Sequence, residues 1–250
     1  MPDEAVQDRP LPPFAPGVYL VATPIGNLED ITLRALRLLR EADVLACEDT
    51  RVTRKLFQRY QLSPPKTLLA CNDHNERVVA KRLARMAAEG SVVAFCSDAG
   101  MPGISDPGYN IAKAAREAGV LVEVVPGPSA VTMAVALCGL PVASFVFFGF
   151  PPRRDGRLSR IFMEHAGVRE ALVFYESPRR LARLLAVGAE CLGAGREVAV
   201  CLELTKKFQR VVRGGVGELA ERFGSVETRG EAVVVFAGLE KNGEKDTDDE

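Results

Sequence analysis

The sequence predicts an α/β protein of two domains, the first on a mainly parallel sheet and the second on a mixed one. Three observations carry this. Apolar runs of strand length alternate with segments of helical periodicity. Loops rich in glycine, proline and acidic residues directly follow several of those runs. A Gly139-Leu140-Pro141 break interrupts the alternation and marks a linker.

In chain order, residues 1–15 are acidic and proline-rich and are expected to be disordered. The first domain is set at 16–139. GVYLVAT (17–23) is an unbroken apolar run ending at Pro24, as expected of a buried parallel strand. Residues 31–41 carry apolar side chains at helical spacing behind Asp30, a capping candidate. DVLACE (43–48) predicts a second strand, 52–60 and 75–89 two helices, and SVVAFCS (91–97) a third strand. A helix at 107–118, a strand at 120–125 and a helix at 129–139 complete this half.

The second domain, 140–238, has strands predicted at 144–150, 170–176, 197–203 and 231–238, with helices at 157–166, 178–190 and 215–224 between them. FQRVVRGG (208–215) adds an antiparallel piece, hence the mixed sheet. From 239 to 250 the chain carries six acidic and two basic residues without apolar periodicity, and a disordered tail is expected.

Composition narrows the function classes. Across 250 residues, 32 Lys and Arg face 33 Asp and Glu, so a nucleic-acid partner must be met by a local patch. No apolar stretch reaches the roughly 18–20 residues of a membrane span, and the start is neither a signal nor a transit peptide. A cytosolic protein is expected. The six cysteines contain no CxxC pair and only two histidines accompany them. A structural zinc site is not expected; Cys47, Cys96 and Cys201 sit in apolar runs and read as reduced core residues.

Three loops stand at predicted strand ends, where open α/β sheets bind ligands. They are Ala22–Asp30, Ser97–Gly108 and Val125–Ala130. None is GxGxxG or GxxxxGK[ST], and HExxH and GxSxG are absent, which disfavours dinucleotide, P-loop, zincin and serine-hydrolase chemistry. Backbone N–H groups, close approach and few carboxylates suit a compact ligand with a sugar, an amino acid and little phosphate.

Together ATPIGNLEDITLRAL, EDTRVTRKLF, SDAGMPGISDPG, PGPSA, YESPRRL and ELTK resemble the small-subunit rRNA 2′-O-methyltransferases of the tetrapyrrole methylase superfamily. The resemblance spans residues 17–238. It implies two α/β domains of the class III methyltransferase type, S-adenosylmethionine as donor in the cleft between them, and a homodimer. Its implied target is the 2′-hydroxyl of a cytidine in the decoding region of bacterial 16S rRNA, within the assembled small subunit. The sequence departs from the family at Val52, where histidine is usual, and reads Asn72-Asp73-His74-Asn75-Glu76 where a His-x-His-Asn-Glu run is usual; the lost histidines argue against a histidine-based mechanism. Met101 stands where Thr is usual and Cys138 where Ser is usual, and an acidic tail replaces a small helical extension.

Methyl transfer to a ribose hydroxyl needs aligned reactants and a group to receive the hydroxyl proton. Glu48 and Asp49, directly after a predicted strand, are the catalytic candidates; the alternative is an acidic helix cap with a surface salt bridge. Lys206 is a third, as a partner of the hydroxyl or of a phosphate, or else a solvated lysine. Asp98 is placed beside the donor by the family resemblance. Pro24, Gly100, Met101 and Gly103 are expected to join it, with Ser129 and Ala130 at a helix start and Tyr175, Leu204 and Ala232 closing over the adenine. No metal is expected.

Between 151 and 215 thirteen basic residues face seven acidic ones. Arg153, Arg154, Arg157 and Arg179, with Arg51 from the first half, are the RNA-binding candidates. A solvated surface balanced by the tail is the alternative. Two other functions keep most of this pattern: a methylase of the same fold acting on a tetrapyrrole or a protein, and an inactive ribosome-binding protein. The arginine cluster disfavours the first, and the intact 97–108 and 126–130 loops disfavour the second.

Overall fold

The computed structural model describes residues 11–225 and 230–239, in two units. The first comprises the chain to Pro24 and Asp30–Gly127; the second comprises Ile25–Glu29 and the chain from Pro128.

The first unit is a five-stranded parallel sheet of β1 (Gly17–Val21), β2 (Val44–Cys47), β3 (Thr67–Ala70), β4 (Val92–Cys96) and β5 (Val122–Val125), in the order β3-β2-β4-β1-β5. β1 is buried along its whole length, which is why it reads as an unbroken apolar run. Its alternate side chains enter two cores. Tyr19 and Val21 pack with Leu45, Ala94 and helices α1 (Leu33–Glu41) and α2 (Thr50–Arg59). Val18 and Leu20 pack with Phe95 and helices α3 (Glu76–Ala88) and α4 (Tyr109–Glu117). Helices thus cover both faces of the sheet.

Three local outcomes differ from the sequence expectation. Residues 28–30 form a 3₁₀ turn, so α1 is capped by Thr32, whose side chain accepts from Ala35 N, and not by Asp30. Edge strand β3 had no sequence signal, because four partly exposed residues after Pro64-Pro65 show neither alternation nor a buried run. Residues 11–15 are held in place. Phe14 packs edge-on to Tyr19 and lies under Arg37, which donates to Pro12 O, while Tyr19 OH donates to Ala15 O. Residues 1–10 and the tail from 240 lie outside the described residues.

The second unit contains α5 (Ala130–Leu137), β6 (Phe145–Phe147), α6 (Asp155–Glu164), β7 (Ala171–Glu176), α7 (Leu181–Leu192), β8 (Glu197–Leu202), β9 (Arg210–Gly215), α8 (Val216–Gly224) and β10 (Ala232–Phe236). Its sheet, β6-β7-β10-β8-β9, is parallel only at β6–β7, a mixed sheet as the 208–215 segment predicts. Leu158, Phe162, Leu184, Leu185 and Leu219 of α6, α7 and α8 cover one face, and Val131, Ala134 and Cys138 pack on the other. That second contact is why the division falls at Gly127–Pro128 instead of 139–140: α5 belongs to this core. Of the six cysteines five are buried and all are free, with burial raising the Cys71 and Cys201 thiols to about 12. No described helix is long and apolar enough to cross a membrane.

Candidate active site

All five strands of the first sheet run the same way, so their C-terminal loops share one edge. Two sets of bonds lock these loops together. Thr23, after β1, exchanges backbone hydrogen bonds of 2.9 and 3.0 Å with Gly100, after β4. The loop after β2 is tied to the same segment: Asp49 N donates to Asp98 Oδ1 at 2.9 Å, and Asp98 N to Glu48 Oε2 at 3.4 Å. Pro24, Glu48, Asp49, Asp98 and Gly100 are thereby brought to one place.

The 98–108 loop carries four left-handed residues, Gly100, Gly103, Ser105 and Gly108. Gly108 has φ of 150°, and a side chain there would also collide with the Gly103 backbone. The loop is held from outside by Glu76, which is buried at the start of α3. Its Oε1 accepts from Gly108 N at 2.7 Å and Asn110 N at 3.1 Å, and its Oε2 from Asn110 Nδ2 at 2.5 Å. Glu76 was not singled out from the sequence, because a glutamate in a helix's first turn is ordinary. His74 is exposed on the preceding turn, its N–H bonded to Asn72 Oδ1.

Electrostatics separate the carboxylates. Burial raises Glu48, helped by the charges of Asp98, Asp73 and Asp49 and opposed by the Asp98 N–H. Burial also raises Asp98, and burial with the Glu48 charge raises Asp106 to about 6. Asp49 goes the other way: hydrogen bonds from the Arg51 side chain and backbone lower it to about 2. Asp49 caps α2 and grips Arg51 with both oxygens, at 2.6–3.1 Å. The cap and surface ion pair weighed for the Glu48-Asp49 pair are thus what Asp49 makes; Glu48 makes neither, and burial holds its carboxyl above its ordinary pKa.

In the second unit Ser129 precedes α5 without a capping bond from its side chain, and Ala130 opens the helix. Tyr175, next to last in β7, lies among aromatics, edge-on to Phe147 at 4.8 Å and to Phe150 at 5.7 Å. The Leu204 and Ala232 side chains are buried in the unit's own cores, so a ligand would meet their backbone. Leu204 lies within a strained turn, between Glu203 and Thr205, which both have positive φ. Asn27 N donates to Thr205 Oγ1 there, and Gly26 passes so close that a Cβ would strike Thr205 and Lys206. Lys206 Nζ bonds Glu203 Oε1 at 3.1 Å and Glu231 Oε2 at 2.8 Å. Burial lowers its pKa, but the Glu231 and Glu203 bonds outweigh this and keep it raised. It is a fixed cation, not a solvated one.

The basic residues divide. Arg153, Arg154, Arg157 and Arg179 are exposed. Arg180 and Arg183 instead turn inward and donate to the Pro151 and Pro152 carbonyls, with Arg183 also on Asp155 and Arg180 beside buried Glu176. Among the described residues no three His, Cys, Asp or Glu side chains are grouped to hold a metal ion.

Comparison with known proteins agrees with this architecture. Residues 17–220 match the family model of tetrapyrrole (corrin/porphyrin) methylases. A protein of Mesorhizobium japonicum named ribosomal RNA small subunit methyltransferase I is 44% identical over 241 residues, covering 96% of this chain and 81% of its own. One of the same name from Thermotoga maritima is 44% identical, covering 89% and 99%. The crystal structure of uroporphyrin-III-C-methyltransferase from Thermus thermophilus superposes with a TM-score of 0.60 at 26% identity, over 88% of this chain and 94% of that one. With a parallel sheet whose loops gather at one edge, a mixed second sheet and this sustained similarity, the chain belongs to the tetrapyrrole methylase family.

Proposed function

We propose that this chain is an S-adenosylmethionine-dependent methyltransferase that modifies the 2′-hydroxyl of a cytidine in the decoding region of bacterial 16S rRNA. The observation that carries the reading is its similarity to the two rRNA methyltransferases, sustained over most of the chain. Membership of the family alone would leave a tetrapyrrole or a protein as acceptor.

The residues of the first unit fit the donor chemically. S-Adenosylmethionine carries an ammonium and a sulfonium, and Glu48, Asp98 and Asp106 are carboxylates drawn partly out of water. A Cβ added at Gly103 would meet nothing within 4 Å, so the backbone there is open to approach. Pro24, Asp98, Gly100, Met101 and Gly103 would hold the donor from this unit. From the second, Ser129 and Ala130 would do so with backbone groups, beside Tyr175, Leu204 and Ala232. When bound, the donor supplies a methyl group activated by positive sulfur.

What the chain itself adds is positioning and a proton acceptor. Glu48 receives the ribose hydroxyl proton, its raised pKa bringing it nearer the operating pH than Asp49. Asp49 fixes the start of α2, and Lys206 remains charged to steady a phosphate or the developing alkoxide. Arg51, Arg153, Arg154, Arg157 and Arg179 contact RNA phosphates. The working form is a homodimer, which sedimentation equilibrium checks.

The direct test offers labelled donor and small ribosomal subunits to the protein and maps the methyl group. Label on a ribose 2′-oxygen of 16S rRNA is expected, absent from rRNA of a strain lacking the protein. Label on a tetrapyrrole or a protein and none on rRNA would overturn the reading. Glu48→Gln should lower kcat by about 10²–10⁴ with donor affinity retained.

A further inference from the structure

The 151–215 arginines are not the most concentrated unpaired charge in the chain. Residues 50–66 hold five basic residues, Arg51, Arg54, Lys55, Arg59 and Lys66, and no acidic one. Four lie on α2, whose inward face is Thr53, Leu56 and Phe57, all buried. At 3.6 residues per turn the basic side chains fall on the opposite side, and all four residues are exposed. The stripe from Arg51 to Arg59 is about 12 Å long.

Most of its charges form no ion pair. Elsewhere in this unit Arg34 pairs with Glu123, Arg85 with Glu89 and Lys113 with Glu117. On α2 only Arg51 forms an ion pair, with Asp49, whose charge also draws Lys55; Arg54, Lys55 and Arg59 form no ion pair among the described residues, and Arg59 lies over the Tyr60 ring. Unrelieved like charges along one helix face repel, a cost in the free protein that an anionic partner removes. The helix also begins directly after Glu48, the proton acceptor assigned above, and Asp49 pins that start.

We propose that the outer face of α2, through Arg54, Lys55 and Arg59, is a second RNA-binding surface that carries substrate phosphates along the helix toward Glu48. This rests on the rRNA reading above and names where the first unit grips the substrate. The source is RNA and not an acidic protein because the exposed face of α2 is a row of cations in which Val52 is the one exposed large apolar side chain, and such a row suits a phosphate backbone better than an apolar protein contact.

The test is a triple variant, Arg54→Ala with Lys55→Ala and Arg59→Ala, compared with the parent for binding to small subunits and to protein-free 16S rRNA across a salt series. Each lost phosphate contact flattens log K against log salt by about 0.7, so the slope should become shallower by about 2. At about 0.1 M salt this corresponds to a loss of affinity of about 10–100-fold. S-Adenosylmethionine affinity by calorimetry should match the parent, and the unfolding midpoint should equal or exceed it as the repulsion is removed. Unchanged affinity and slope would overturn the proposal, as would a loss of affinity with no change of slope. A loss seen with assembled subunits but not with protein-free rRNA would also overturn it, showing that α2 meets a ribosomal protein. Failure of the rRNA reading looks different: there the parent itself neither binds nor methylates rRNA.

Discussion

At Asp106, burial and the Glu48 charge keep the carboxyl protonated up to about pH 6, whereas the unfolded chain ionises near 3.8. Between those values the folded state holds a proton that the unfolded state releases, so stability falls as pH rises through the window. Asp106→Asn should therefore melt above the parent at pH 7.5, with the gap closing toward pH 4; a gap independent of pH would contradict the assignment. The same ionisation should govern the cationic donor, whose affinity is expected to rise with pH through about 6 in the parent and to rise less in Asp106→Asn by calorimetry. Asp98→Ala should weaken donor binding at every pH while leaving the fold intact. At this scale the sequence showed which acidic residues stand at strand ends. It did not show that Asp49 is tied to Arg51 while Glu48 is not, because that depends on a two-residue turn and on the neighbouring loop.

Among the elements, α3 does work far from its own position, since Glu76 holds two backbone amides and a side-chain amide of residues 108 and 110. Removing a buried carboxylate that accepts three hydrogen bonds leaves those donors unsatisfied, at a cost of about 2–3 kcal/mol. Glu76→Ala should lose about that much in denaturant unfolding and weaken donor binding through the 98–108 loop, with Glu76→Gln recovering part of both. Thr32→Ala should cost about 1 kcal/mol through loss of the α1 cap, and Asp30→Ala much less. Strands inside the sheets, β1, β2, β4, β7, β8 and β10, were legible because burial on both faces demands unbroken apolar runs. Edge strand β3 was not, because its four partly exposed residues form neither a long apolar run nor an alternation, whereas the other edge strands β5, β6 and β9 lie in longer apolar or β-branched segments.

For the whole molecule the decisive quantity is charge placed, not charge counted. The thirteen basic residues of 151–215 include Arg180, Arg183, Arg196, Lys206 and Arg213, whose side chains bond the protein's own carbonyls and carboxylates. With a net charge of −1, such a chain is poorly equipped to reshape free RNA by electrostatics. A ribose packed in a helix must also leave its stack before a protein can enclose it. Assembled small subunits should therefore be methylated well, and protein-free 16S rRNA or short oligonucleotides poorly; equal turnover on a short single strand would show that the assembled shape is not read. Reversing Arg153 and Arg154 to Glu should lower rRNA affinity and flatten its salt dependence, whereas Arg180→Ala should act through loss of the Pro151 contact and leave the slope unchanged.

The sequence by itself determined the α/β class, the alternation of its elements, the mixed second sheet and the loops that carry the family resemblance. These follow from local rules: apolar period, turn chemistry and residue types at strand ends. Tertiary structure decided the rest. It assigned α5 to the second unit, gave the α1 cap to Thr32, placed Glu76 under the 98–108 loop and separated Glu48 from Asp49. Glu76, Glu48 and α5 depend on partners distant along the chain, where burial and hydrogen bonding act through space, while the Thr32 cap and the Asp49–Arg51 pair are local contacts that only the backbone turn around them decides.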